Sequence, residues 1–260
     1  MRDQDLELLR DELQRIKSMG WIKNRRPGNA GGVGNTLEDL LNVAENNLQL
    51  PDFGEWELKS QRAETGSLLT LFHTEPKPRN ARIVPNILLP LYGWPHQEAG
   101  VLYPDDERSF RQTINATSVS DRGFTVNVDY ATQVVFISFD YSAIDERHFE
   151  WKEFISKGVG TRDITPNPYW TFSDIEDKLS TKLCNLMYVK AETKRVDGEE
   201  YFLYKEIEAY VDPTLARFLA LIENGVIYID FDARTGHNHG TKFRIRPAYK
   251  KDLYQKHIIV

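Results

Sequence analysis

The sequence holds 260 residues, 40% hydrophobic, 12% aromatic and 28% charged, a globular composition that excludes a disordered chain, a collagen-like fibre or a small stapled scaffold. One cysteine, Cys184, leaves no internal disulfide and no multi-cysteine metal site; no apolar run can span a bilayer, and the start, MRDQDLELLRDELQRIK, lacks the apolar core of a secretory signal, so a cytoplasmic protein with no membrane partner is expected. The net charge is −6, yet residues 233–260 carry seven lysines and arginines against the single acid Asp252, a local basic patch of +6 that points to a polyanionic partner where the net value concerns only solubility.

The elements follow in chain order. Gln4–Met19 reads as an amphipathic helix with Leu6, Leu9, Leu13 and Ile16 on one face, ended by Gly20. A Gly- and Asn-rich loop, NRRPGNAGGVGNT, leads to a helix capped by Asn35 or Thr36, with Leu37, Leu40, Leu41 and Ala44 as its buried stripe. Pro51-Asp52 breaks it, and strands follow at Glu55–Ser60 and Leu68–His73. Residues 86–105 and 146–172 give no clear period. Between them lie two strands, Gly123–Tyr130 and Thr132–Tyr141. A helix at Ser173–Asn185 precedes a strand at Leu186–Thr193, a turn at Asp197-Gly198 and a returning strand at Glu200–Ile207. Asp212-Pro213 reads as a helix cap followed by proline in the first turn, with Asn224-Gly225 as the stop. Val226–Asp232 is nearly all apolar and so a central strand; Lys242–Arg246 is another. Helices mixed with strands throughout, with no repeat, imply an α/β or α+β sheet flanked by helices, as one domain over residues 1–260 in one or two lobes.

Chemistry concentrates in Pro51-Asp52-Phe53-Gly54-Glu55-Trp56-Glu57-Leu58-Lys59. Glu57 and Lys59 are two apart in a strand and share one face, while Trp56 and Leu58 point into the core. Asp52 is an odd number of residues before Glu57, so a bend at Gly54 is needed to bring the two carboxylates together. Converging carboxylates suit Mg²⁺, a hard cation that takes oxygen ligands, with the Leu58 carbonyl as a further donor and Lys59 beside an activated water. That is equipment for phosphodiester hydrolysis. Glu-x-Lys alone carries little: it also occurs at Glu75/Lys77, Glu176/Lys178 and Glu192/Lys194. Context separates the first, and the other three read as incidental surface charge.

The run Gly32-Val33-Gly34-Asn35-Thr36-Leu37-Glu38, then Pro51-Asp52-Phe53, then Glu57-Leu58-Lys59-Ser60-Gln61-Arg62 resembles the MvaI/BcnI restriction endonuclease family and, more distantly, the mismatch-repair nicking enzyme MutH, both of the PD-(D/E)xK nuclease superfamily. The resemblance implies Asp52 and Glu57 as metal ligands, Lys59 as the catalytic lysine and Glu38 as an auxiliary acid. A second run, Ile229 to Pro247, resembles the family's C-terminal strand and DNA-reading loop. There Arg234, Lys242, Arg244 and Arg246 are candidates for guanine contacts in the major groove, since an arginine fork fits O6 and N7, and His237 and His239 for bases or phosphates. Arg62 joins the candidate DNA contacts. In Lys178–Lys190, which resembles a helix-then-strand unit of MutH-like enzymes, Lys182 is the best-placed basic residue, with Lys178 open.

The resemblance further implies a restriction-endonuclease-like core, a mixed sheet flanked by helices in a MutH-like two-lobed clamp, with the catalytic core at about 31–75 and the recognition segment at about 226–260. The expected activity is Mg²⁺-dependent cleavage of double-stranded DNA by a monomer, leaving 5′-phosphates at a short G·C-rich site of the CCNGG kind, with a cognate DNA methyltransferase as functional partner. A strand-nicking repair endonuclease and a non-catalytic DNA-binding protein remain open, as does an unrelated α/β protein with a basic tail. Two letter patterns carry no weight: His237-Asn238-His239 is not the dispersed ββα nuclease motif, and Gly32-x-Gly34 has neither the third glycine of a dinucleotide fingerprint nor the Gly-Lys of a phosphate loop.

Overall fold

A computed structural model describes residues 2–29, 31–41 and 56–259. In chain order the elements are α1 (Arg2–Ser18), β1 (Ile22–Lys23), α2 (Gly32–Leu40), β2 (Glu57–Arg62), β3 (Leu69–His73), β4 (Trp94–Pro95), β5 (Arg108–Ile114), β6 (Phe124–Asp129), β7 (Val134–Phe139), α3 (Phe149–Gly158), β8 (Tyr169–Thr171), α4 (Phe172–Lys182), β9 (Asn185–Val196), β10 (Glu199–Pro213), α5 (Leu215–Glu223), β11 (Ile227–Arg234), β12 (His237–Asn238), β13 (Lys242–Ile245), α6 (Lys250–Leu253) and β14 (Tyr254–Ile259). A π-type helix, Val84–Tyr92, lies in the stretch without a clear period, and so does β4; β5 follows just beyond it. Pro90, inside that helix, hid its pattern; Pro85 lies in its first turn, where proline is tolerated. Among the described residues no helix is long and apolar enough to cross a membrane.

The chain forms two compact units. One comprises residues 1–69, 177–214 and 247–260; the other, residues 70–176 and 215–246. The expected recognition segment, 226–260, is therefore divided between them. The first unit holds a five-stranded sheet in the order β1-β10-β9-β2, with β14 also on β10. β2 runs parallel to β9 in the register Glu57↔Leu186, Leu58↔Met187 and Lys59↔Tyr188; the remaining pairs are antiparallel. Period two gives this sheet an apolar face: Leu58, Met187, Val189, Ile207 and Ala209 pack with Leu9, Leu13 and Ile16 of α1 and Val33, Leu37 and Leu40 of α2. The opposite face carries Glu57, Lys59, Gln61 and Tyr188. The second unit holds β3-β13-β11-β5-β4, with β12 on β11, and a three-stranded sheet β6-β7-β8. β11 sits in mid-sheet, as its apolar run predicts.

Two helix starts differ from the sequence expectation. α2 begins at Gly32, inside the glycine run, with no side-chain cap at Gly31. Thr36 is buried within that helix, and its hydroxyl accepts from the Arg25 N–H at 3.1 Å instead of capping. A Cβ at Gly32 would meet Asn24 Nδ2 at 2.8 Å, so the Asn24 side chain would have to shift. Pro213 still pairs with Tyr254 at the end of β10, and Asp212 takes a left-handed φ of 61°, so α5 starts later, at Leu215. The Pro51-Asp52 bend and the end of the second predicted helix lie outside the described residues.

Candidate active site and recognition face

In the first unit the face of β2 turned away from α1 and α2 carries Glu57 and Lys59. The Lys59 ammonium donates to Glu57 Oε1 at 2.5 Å. Lys182, in the last turn of α4, brings its Nζ to 3.6 Å from Glu57 Oε2. Glu57 is only 4% exposed, and Oε2 has no hydrogen-bond partner among the described residues. A carboxylate taken out of water is costly unless opposite charge accompanies it; here two ammonium groups from separate elements do so. The described contacts thus bring together Glu57, Lys59 and Lys182. Glu38 lies near Ser60 on the helix-covered side of β2: a Cβ at Gly34 would sit 3.4 Å from Ser60 Oγ and 4.0 Å from Glu38 Oε1. Leu58 is buried in the core, 4% exposed. Asp52 lies outside the described residues. Arg62 forks onto Glu200 Oε1 at 3.1–3.2 Å and stacks over Phe202, a role within the sheet that Glu-x-Lys reasoning did not anticipate.

The surroundings of Glu57 are built from residues that sequence reasoning missed. Burial pushes the Tyr254 hydroxyl well above its usual pKa, and the nearby Glu57 charge adds to this; that hydroxyl has no hydrogen-bond partner among the described residues. Farther across the same face, Tyr188 donates to Gln61 Oε1 at 2.8 Å. Lys250, 6% exposed, lies over the Tyr188 ring at 4.2 Å and bonds Glu208 Oε2 at 2.8 Å. Burial works against the Glu208 charge, but Lys250, Tyr210 and His257 together hold its carboxyl below the usual range. Only strand register (Lys59↔Tyr188↔Glu208) links these residues, and register is not readable before pairing is known.

In the second unit β11 and β13 carry a lattice of paired charges. Asp230 accepts from Thr113 Oγ1 at 2.7 Å and from Arg244 Nη1 at 3.1 Å. Asp232 accepts from Lys242 at 3.1 Å and pairs with Arg111 Nε at 2.9 Å. Burial opposes ionisation of Asp232, yet Lys242, Arg111 and His239 leave its pKa lowered. Arg234 pairs with Glu107 at 3.0 Å and covers Tyr103; Arg246 donates to the Tyr228 hydroxyl at 2.7 Å. His237 and His239 are exposed and meet edge-to-face at 4.2 Å. The expected basic residues are thus gathered on and beside β11 and β13, each oriented by an acid or a ring.

The loop that carries both histidines is pinned by Glu75. Its Oε1 accepts from Thr241 N at 2.9 Å and Asn238 Nδ2 at 3.4 Å, and its Oε2 from Thr241 Oγ1 at 3.4 Å. Lys77 pairs with Asp174 at 2.9 Å. The reading of Glu75/Lys77 as incidental surface charge is therefore wrong: Glu75 anchors the loop. The spacing could not reveal this, because the partner lies far away in sequence.

The comparisons with known proteins agree with this architecture. The model of the MvaI/BcnI restriction endonuclease family matches residues 10–254. A solved complex of restriction endonuclease MvaI with its cognate DNA substrate is similar, with a TM-score of 0.78 and 26% identity over 98% of this chain and 97% of that one. MvaI in the absence of DNA gives a TM-score of 0.55 at the same identity and coverage. No curated protein matches significantly. The chain belongs to the MvaI/BcnI restriction endonuclease family and is a Type II site-specific deoxyribonuclease.

Proposed function

We propose that the chain cleaves both strands of duplex DNA with Mg²⁺ as its metal, acts as a monomer, and leaves 5′-phosphate and 3′-hydroxyl ends at a short G·C-rich pseudopalindromic site of the CCNGG kind. The single observation that carries this reading is the Glu57 carboxylate: buried, bridged by two lysines, and with Oε2 lacking a hydrogen-bond partner among the described residues. Such an oxygen suits a hard cation, which prefers oxygen donors. Among the described residues no three acidic, histidine or cysteine side chains form a cluster for a metal; Asp52, the other expected acid, lies outside them. Asp52, Glu57 and the Leu58 carbonyl are the proposed ligands, with Glu38 as auxiliary acid. When bound, the ion supplies charge neutralisation at the phosphate and a more acidic water.

The chain's own residues do the rest. The Lys59 ammonium holds the attacking water by hydrogen bonding and counters the charge that develops on the phosphoryl oxygens. Lys182 holds the Glu57 carboxylate and contacts the DNA near the scissile phosphate. Arg234, Lys242, Arg244 and Arg246 read guanine edges, with His237, His239 and Arg62 as further DNA contacts. The acids Asp230 and Asp232 keep Arg244 and Lys242 in fixed orientations, which lowers the entropy lost on binding. A DNA methyltransferase acting at the same site would protect host DNA.

Purified protein with Mg²⁺ and plasmid of known sequence tests this reading. Linear fragments with 5′-phosphate ends at one recurring site are expected. Nicked circles alone would favour the strand-nicking alternative, and binding without cleavage under any divalent metal would favour a DNA-binding protein.

A further inference from the structure

The second unit contains a recess of about 460 Å³ between the Val84–Tyr92 helix and the loop after β11. Ile83 and Leu89 line it on the apolar side and are almost fully buried. Arg79, Arg82 and His237 line it as exposed basic side chains. Glu75 also borders it, but both its oxygens are engaged with Thr241, and one with Asn238 as well. Arg234 is committed to Glu107.

Arg82 differs from its neighbours in two independent ways. Among the described residues no side-chain hydrogen bond or ion pair engages its guanidinium. Its backbone is left-handed, with φ 48°, a conformation unfavourable for a residue that carries a Cβ. The conformation is held locally: Arg82 N donates to Arg79 O at 3.1 Å, and its own carbonyl accepts from Asn86 N at 3.0 Å. Strained backbone concentrates at functional positions, and no hydrogen bond or ion pair of the Arg82 side chain among the described residues accounts for an arginine there. Arg79, by contrast, donates to Thr74 Oγ1 at 3.0 Å and so has one edge fixed.

We propose that this recess seats a backbone phosphate of the bound DNA, with Arg82 as its principal cation and Arg79 beside it. The assignment rests on the reading of the chain as a DNA-cleaving enzyme. Converging cations suit a phosphate, whose oxygens accept several donors at once; a base edge takes a single fork matched to a specific acceptor pair. Arg82 therefore contributes affinity without sequence information.

The test is DNA binding measured by fluorescence anisotropy over a salt series, without divalent metal, on two short duplexes: one carrying the mapped cleavage site and one of unrelated sequence. Arg82→Gln should lower the slope of log K against log salt by about 0.9 on both duplexes, while Arg82→Lys retains it. Arg82→Gly removes the charge yet accepts the left-handed backbone, so it should reproduce the loss of slope with a melting temperature no lower than wild type. An unchanged slope in Arg82→Gln and Arg82→Gly, with wild-type binding intact, overturns the proposal. So does an unchanged slope accompanied by lost discrimination between the duplexes, which marks a base contact. If the wild-type protein itself shows no salt-dependent DNA affinity, the underlying DNA-cleaving reading fails instead.

Discussion

In the proposed reaction Glu57 is the central residue: its carboxylate is buried beside two lysines, and its second oxygen has no hydrogen-bond partner among the described residues. Lys59→Ala should lower the single-turnover cleavage rate by about 100-fold or more, while anisotropy shows DNA binding close to wild type. Lys182→Ala should also slow cleavage, and rescue by Lys182→Arg would separate charge from shape. A drop in binding with an unchanged bound-state rate would remove either lysine from the reaction. Glu75 belongs to the second unit. Glu75→Ala leaves the Thr241 N–H without its acceptor and should cost about 1–3 kcal/mol of stability, read as a lower urea midpoint. It should also relax discrimination between cleavage sites, since the histidine loop loses its anchor. Unaltered site preference in Glu75→Ala would show that the loop is ordered without it.

At the scale of elements, β2 was legible because its pattern is simple: Glu57 and Lys59 out, Trp56 and Leu58 in, and the core confirms that alternation. β11 was legible for the same reason. The start of α2 was not, because a glycine run is a poor helix former in isolation; tertiary contacts override it where Val33 and Leu37 pack into the core and Asn24 crowds Gly32. β14 was missed although Tyr254, Ile258 and Ile259 suit a strand: grouping the chain end with the basic patch hid it, and its pairing with β10 is long-range. The Lys250–Glu208 pair depends on that pairing. Glu208 has a depressed pKa in the folded chain, so its contribution is present above the ordinary carboxylate pKa and is lost as pH falls through the depressed value. Lys250→Met should therefore lower stability by about 1–3 kcal/mol near neutrality, and the gap from wild type should close in acid as Glu208 becomes protonated. A gap that is constant across that range would show that packing of the lysine stem, and not its charge, matters. On β13, Arg244→Ala should cost about 1–3 kcal/mol of discrimination if it forks onto guanine; equal weakening on all sequences marks a phosphate contact instead.

For the whole molecule, the motif-bearing segment is not a folding unit. Residues 31–75 contain β2, but the strand beside it, β9, and the core residues Met187, Val189, Phe202 and Ile207 come from much later in the chain. A fragment covering 31–75 should show no cooperative thermal transition by circular dichroism, whereas the full chain should. The local motif could be read from the sequence, but the sheet that holds it could not, because its strands meet only through long-range pairing. The proposed reaction requires that Glu57 serve chemistry and not only fold. The most direct measurement is cleavage of a plasmid of known sequence by Glu57→Gln in Mg²⁺, alongside its DNA affinity and melting temperature. The expected result is a folded protein that binds DNA and leaves the plasmid intact; turnover at a rate near wild type would contradict a chemical role for Glu57.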